Sequence, residues 1–371
     1  MNSAGTWATV TSGISFSQFE NVLGVLDVPA MSKNTFLKKE VEVEKVWLKH
    51  IDNALVEAGI EERRLAIEKG DVDDGMPFIT VIVDGGWSKR SYGHNYTATS
   101  GMAVIIAERT GQLLFLGVRN KYCCICDRAT KIGMEAKPHL CYKNWDENKP
   151  STAMEQDINV EGFKMSEKMH GVRYKYFVGD GDSSVYAKLV QNVSYGRTIQ
   201  KLECANHCIK NYTGHLHKLA ADKTFPPDSR KLLKQSIPRL TAAARGAIRH
   251  CADEGETVDD SISDLKNWPY HVFGEHAQCR NYFCQKVESN ENLKIITNAK
   301  LLDEITALVS RLEQKAPRLI KNKTSNAAEF YMSLLAKYNC GKRINLGQRG
   351  SFQRRCYVAG SERSCLGTKP I

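Results

Sequence analysis

The residues best equipped for chemistry are carboxylates at the ends of apolar runs and a cluster of thiols with a histidine. Asp84 closes the run Pro77-Phe78-Ile79-Thr80-Val81-Ile82-Val83, whose β-branched and aromatic content reads as a buried central strand. Gly85 and Gly86 follow it, and glycines at a strand end let a ligand come close to the backbone. An aspartate there can also simply open a tight turn. Asp180 follows a second strand-like stretch, Tyr174 to Val178, inside Gly179-Asp180-Gly181-Asp182. Glu329 stands near the start of the helical stretch SNAAEFYMSLLAKY. Hard oxygen ligands of this kind hold Mg²⁺ or Mn²⁺. A pair of such ions serves phosphoryl transfer, one activating the attacking oxygen and the other stabilising the leaving one. Asp182 is the alternative to Asp180, although its place before Ser183-Ser184 also suits a helix N-cap. Glu329 could equally be an exposed acid favoured by its helix dipole.

Cys123-x-x-Cys126 followed by His139-x-Cys141 supplies four ligands of the type that close a tetrahedral Zn²⁺ site. The first half has common zinc spacing and the second is tighter than usual. Zinc here would order a segment between strands that otherwise lacks a core; free buried thiols are the other reading. Cys124 reads as a spectator. Cys204-x-x-His207 is a further pair, whose spacing puts both side chains on one face of a helix.

The elements that must carry these residues are legible in outline. Between Ser12 and Gly70 the chain reads as helical, with Phe16, Phe19, Leu23 and Leu26 at helical spacing after Ser15, a break at Pro29, and a second helix capped by Ser32. The pair is either a helix-turn-helix or a helical hairpin packed on the core. After the Asp84 strand, Gly101 to Ala107 and Leu113 to Val118 form a hairpin across Arg109-Thr110-Gly111-Gln112. The Tyr174 strand, a helix VYAKLV, a short strand Thr198 to Leu202 and the helix ECANHCIKNYTGHLHKL come next. Residues 219–320 show no strand signals, and Pro238 interrupts their first helical stretch. The order strand–strand–strand–helix–strand–helix–strand–helix, with acids on the first strand, after the fourth and on a late helix, is the ribonuclease-H-like arrangement. The expected fold is therefore α/β. It comprises an N-terminal helical module (1–74), a ribonuclease-H-like mixed sheet (75–218), an all-helical insertion (219–320), a final catalytic helix (321–340) and a basic C-terminal segment (341–371).

The chain of 371 residues has ordinary hydrophobic (42%) and charged (25%) content for a globular protein. Its net charge of +10 favours a polyanionic partner. Seven basic residues against Glu362 alone lie in 341–371, among glycines and Phe352, a composition suited to tracking a phosphate backbone or to a solvated tail. Twelve cysteines in so long a chain do not read as a disulfide scaffold. MNSAGTWATV lacks the marks of a signal peptide, and no apolar run reaches the length of a membrane span, so an intracellular chain with reduced thiols is expected.

DGGWSKR at 84–90, GDGDSS at 179–184, CANH at 204–207 and SNAAE at 325–329 together resemble the Mutator-like transposases, closest to the arthropod type. GKRINLGQRGSFQRR is similar to the basic stretch that follows the last catalytic helix there. The resemblance implies a DNA transposase that uses a DDE triad of Asp84, Asp180 and Glu329 holding two Mg²⁺ ions, with Asp180 favoured over Asp182 because the second acid directly follows its strand. It implies support of the catalytic core by Cys204 and His207, and contacts to double-stranded DNA from Lys89, Arg90, Lys342, Arg343, Arg349, Arg354 and Arg355. A homodimer or higher assembly, a nuclear location and no membrane association follow. In the helical insertion, Trp268, Tyr270 and His271 are candidates for stacking on a displaced base, with core packing the alternative for Trp268. The rival readings are a domesticated, catalytically inactive DNA-binding protein and a ribonuclease-H-like nuclease.

Overall fold

The computed structural model describes residues 2–89, 98–179, 184–284, 298–342 and 344–365, without the side chains of 342 and 363–365. The chain opens with three helices: α1 (Asn2–Thr11), α2 (Phe16–Val25) and α3 (Lys33–Glu68). Strands β1 (Val72–Asp73), β2 (Met76–Trp87), β3 (Ser100–Ala107) and β4 (Leu113–Asn120) follow, then α4 (Cys124–Lys131) and α5 (Thr152–His170). Next come β5 (Arg173–Gly179), α6 (Ser184–Asn192) and β6 (Gln200–Glu203). The remainder is helical: α7 (Ala205–Ala221), α8 (Pro227–Glu254), α9 (Val258–Phe273), α10 (Ala299–Glu313), α11 (Ala316–Leu319), α12 (Asn326–Tyr338) and α13 (Ser351–Cys365). Among the described residues no helix is long and apolar enough to cross a membrane, and every described cysteine is a free thiol.

The fold is mixed α/β around a six-stranded sheet of order β4-β3-β2-β5-β6, with β1 paired to β2. β2 and β3 are antiparallel, as are β3 and β4, and Asp84 stands opposite Val104. The chain divides into two compact units. The first holds residues 1–177, 182–200 and 325–371. Its core gathers Val81 and Val83 of β2, Ile105 of β3, Phe115 of β4 and Ile158 and Phe163 of α5, all buried. The N-terminal helices and α13 belong to this unit, with α3 packed on β2, β4, α5 and α13. The second unit holds 178–181 and 201–324, and its core joins Ile209 and Leu216 of α7 to Leu233 and Leu240 of α8 and Leu308 of α10. Helix α7 therefore packs with the helical insertion that follows it.

Local chemistry explains the element boundaries, including those that differ from expectation. Ser15 starts α2 with a reciprocal capping box to Gln18, and the Ser32 hydroxyl accepts from the Thr35 amide at the start of α3. The stretch before Ser12, to which the sequence pattern assigns no individual helix, forms α1, and Gly13 at φ +69° makes the break after it. α8 runs unbroken through Pro238. A proline inside a helix costs about 3 kcal/mol, whereas each fully buried Leu or Ile returns about 1.5–3 kcal/mol. Leu233, Ile237 and Leu240 are all buried along that helix, so packing outweighs the missing amide.

Candidate active site and metal centre

Asp84 lies inside β2, which continues through Gly85 and Gly86 to Trp87 instead of ending at the aspartate. The two glycines pair with Ala103 and Met102, and close packing explains both. A Cβ on Gly85 would fall 2.5 Å from a carboxylate oxygen of Glu155 on α5, and one on Gly86 would fall 3.1 Å from the Met332 sulfur on α12. Successive strand residues face opposite sides of a sheet. Asp84 therefore shares the face of Gly86, covered by α12, while Glu155 covers the other face. Glu329 precedes Met332 by one helical turn and so belongs to the same side of α12. This puts Asp84 and Glu329 at one face of the sheet and sets Glu155 apart from them. Asp84 is half-buried, and its Oδ1 accepts the Gly85 amide at 2.8 Å. Glu329 is exposed, and its Oε1 accepts the Ser325 hydroxyl at 3.2 Å. Each carboxylate is thus oriented by a neighbour. Asp180 and Asp182 lie outside the described residues; β5, which ends one residue before Asp180, neighbours β2 in the sheet.

The four Cys/His residues predicted to bind zinc do converge. Cys123 precedes α4, Cys126 is on it, and His139 and Cys141 come from the segment beyond; their donor atoms all lie within 4.8 Å of one another. Taking Zn–N as about 2.0–2.1 Å and Zn–S as about 2.3 Å, a tetrahedral ion spaces its ligands about 3.3 Å apart for N···N, about 3.5 Å for N···S and about 3.8 Å for S···S. Here the Cys123 and Cys126 sulfurs lie 3.3 and 3.4 Å from His139 Nε2, and Cys126 lies 3.6 Å from Cys141. His139 Nδ1 lies 2.7 Å from the Lys137 carbonyl, to which it donates, and this leaves Nε2 as the ligand nitrogen. The donor set and its spacing fit Zn²⁺. The hydrogen bond with Cys141 pushes the Cys126 thiol up to about 11; a bound dication would reverse that preference. Cys124 stays outside the cluster, its sulfur accepting from Arg349 Nε at 3.1 Å.

The basic residues expected to face DNA do not behave as one group. Lys89 and Arg349 are exposed. Arg90 and Arg343, and the side chain of Lys342, lie outside the described residues. Arg354 and Arg355 are a correction: each is 2% exposed. Arg354 donates to Glu44 Oε2 and Glu40 Oε2, both at 2.9 Å, and to the Tyr142 hydroxyl at 2.7 Å. Arg355 donates to the carbonyls of Tyr338 and Ile14. Phe352, expected among solvent-facing charges, is fully buried. These side chains fasten α13 to α3 and α12, so they are withdrawn from any phosphate.

In the second unit, Cys204 is buried at the N-cap of α7 and His207 is half-buried on its first turn. Beside them the buried Glu203, not singled out from sequence, is held by Lys315 and Arg318, both 3.7 Å away, and by Lys201 at 3.9 Å. Trp268 lies tilted against Phe283 with ring centroids 4.4 Å apart and packs against the unit's core, while Tyr270 is exposed. His271, expected among the base-stacking residues, turns instead toward His276, Cys279 and Cys284. Sequence reading missed that group because its spacing contains no Cys-x-x-Cys.

Comparison with curated proteins gives no match. A family profile matches residues 1–284. That span covers the Asp84 strand, the Cys123–Cys141 cluster and the Cys204/His207 pair, and it accounts for most of the chain. On this match the chain belongs to the Mutator-like transposase family.

Proposed function

We propose that the chain is a DNA transposase that hydrolyses DNA at transposon ends and joins the freed 3′ end to target DNA, with Asp84, Asp180 and Glu329 as a DDE triad. The single observation that supports the reading is that α12, which carries Glu329, packs on the strand of Asp84, with Met332 against Gly86, in a member of this family. The strand order β4-β3-β2-β5-β6, with three consecutive antiparallel strands and then helical crossovers, supports a ribonuclease-H-like core. Mg²⁺ or Mn²⁺ ions bound by these carboxylates would activate the attacking oxygen and stabilise the leaving one. The protein's own part is to fix the ligands: the Gly85 amide orients Asp84 and the Ser325 hydroxyl orients Glu329. Asp180, one residue past β5, completes the set in this reading, with Asp182 as the alternate. Lys89, two residues beyond β2, is exposed and suited to a phosphate, as is Arg349; Arg90, Lys342 and Arg343 are assigned the same part from sequence. Cys204 and His207 support the core, and Cys123, Cys126, His139 and Cys141 hold a structural Zn²⁺. Handling two DNA ends together calls for a homodimer or higher assembly, and a chromosomal substrate calls for a nuclear location.

The test offers the protein its candidate transposon-end duplex and an RNA–DNA hybrid in Mg²⁺. Nicking at the end followed by joining to a target plasmid is the expected result. Cleavage of the hybrid alone supports a nuclease, and DNA binding without cleavage supports an inactive, domesticated protein; either outcome overturns the proposal.

A further inference from the structure

The loop after α9 carries a second Cys/His cluster that the transposase chemistry does not use. His271 sits in the last turn of α9, Gly274 ends the helix at φ +101°, and His276, Cys279 and Cys284 follow within 275–284, a stretch with neither helix nor strand. His271 Nδ1 lies 3.1 Å from His276 Nδ1 and 3.3 Å from the Cys279 sulfur. His276 Nδ1 lies 3.7 Å from Cys279 and 3.4 Å from Cys284. All four donor atoms are within 4.8 Å of one another. These separations match the edges of a tetrahedron around zinc, about 3.3 Å for N···N and about 3.5 Å for N···S, as closely as those of the Cys123 cluster do.

Packing around the cluster explains why a cation belongs there. Arg280, between two of the candidate ligands, reaches Glu256 and Asp264, and Tyr282 donates to Asp264 at 2.6 Å. Phe283 packs against Trp268 with the two rings tilted. The loop is thereby folded back on α9 with the sulfurs turned inward; Cys284 is buried. Two imidazole nitrogens and two sulfurs facing one point are a borderline-soft set, the kind that selects Zn²⁺ over Mg²⁺ or Ca²⁺.

We propose that His271, His276, Cys279 and Cys284 bind one structural Zn²⁺ that pins residues 274–284 to the C-terminal end of α9. With four protein ligands the site is closed, so it orders the loop and takes no part in hydrolysis. The proposal is independent of the transposase reading, because its readout is bound metal.

The experiment is zinc analysis of the purified full-length chain by elemental mass spectrometry. Wild-type protein is expected to hold two Zn²⁺ per chain. The double variants Cys123→Ser/Cys126→Ser and Cys279→Ser/Cys284→Ser should each hold one, and the combination of all four substitutions none. If the Cys279→Ser/Cys284→Ser variant does not fold, the Cys123→Ser/Cys126→Ser protein still decides: one remaining zinc supports the site, none removes it. Replacing that remaining zinc with Co²⁺ should give the spectrum of a tetrahedral site with two thiolates. A Cys123→Ser/Cys126→Ser protein that holds no zinc, or a zinc content untouched by Cys279→Ser/Cys284→Ser, would overturn the proposal.

Discussion

Replacing Arg354 with methionine separates two roles for the basic stretch near the C-terminus. Its guanidinium donates to Glu40, Glu44 and Tyr142, and the two glutamates are 1% and 5% exposed. Methionine keeps much of the packing volume but leaves two buried carboxylates without their counter-charge. Breaking a buried pair by removing one partner costs about 3–5 kcal/mol. For a unit of this size each kcal/mol lowers the melting temperature by about 2–4 °C, so Arg354→Met should lose about 6–20 °C. The triple variant Glu40→Gln/Glu44→Gln/Arg354→Met removes the stranded charges as well and should recover much of that loss. The assay is thermal unfolding paired with DNA affinity measured across salt concentrations. A phosphate-contacting arginine would instead leave the melting temperature unchanged, weaken DNA binding and lower the salt slope by about 1. That pattern would refute the structural role.

Other perturbations test neighbouring parts of the account. Gly85→Ala drives a methyl group into Glu155, an overpacking worth about 1–3 kcal/mol; Gly85→Ala/Glu155→Ala should restore the denaturant midpoint, and a failure to rescue would place the clash elsewhere. His170 is buried against Tyr174, and desolvation lowers its pKa from 6.5, so the folded state favours the neutral ring. The unfolded chain then binds more protons on acidification, and stability should fall as pH drops below about 6.5; His170→Gln should flatten that slope in denaturant titrations. Cys123→Ser/Cys126→Ser should free the 124–141 segment to proteolysis in step with its zinc loss, and unchanged digestion would remove the structural role of that metal.

Much of the fold was readable from local pattern. The strands around Asp84 and across Arg109 to Gln112 stand out because short β-branched runs are bounded by turn residues, and Ser15 and Ser32 mark real helix starts. The Cys123–Cys141 cluster was legible as a candidate because Cys-x-x-Cys is a common metal-ligand spacing. What the sequence hid was set by contacts between distant segments. Arg354 is 310 residues from Glu44, and a charge count cannot tell a buried ion pair from an exposed basic strip. Gly85 and Gly86 read as the end of a strand because the side chains that fill their space come from α5 and α12. His271 read as an aromatic neighbour of Trp268 because its partners lie past a helix end, at spacings no common motif uses.

The central claim, that Asp84 holds a catalytic cation, is tested most directly by changing which metal it prefers. Strand cleavage and transfer by wild-type, Asp84→Asn and Asp84→Cys proteins should be compared in Mg²⁺ and in Mn²⁺ on the same end duplex, with DNA affinity measured alongside. Loss of both steps in Asp84→Asn with binding retained, and partial recovery of Asp84→Cys in the more thiophilic Mn²⁺, is the predicted result. Cleavage by Asp84→Asn at the wild-type rate in Mg²⁺ would contradict it.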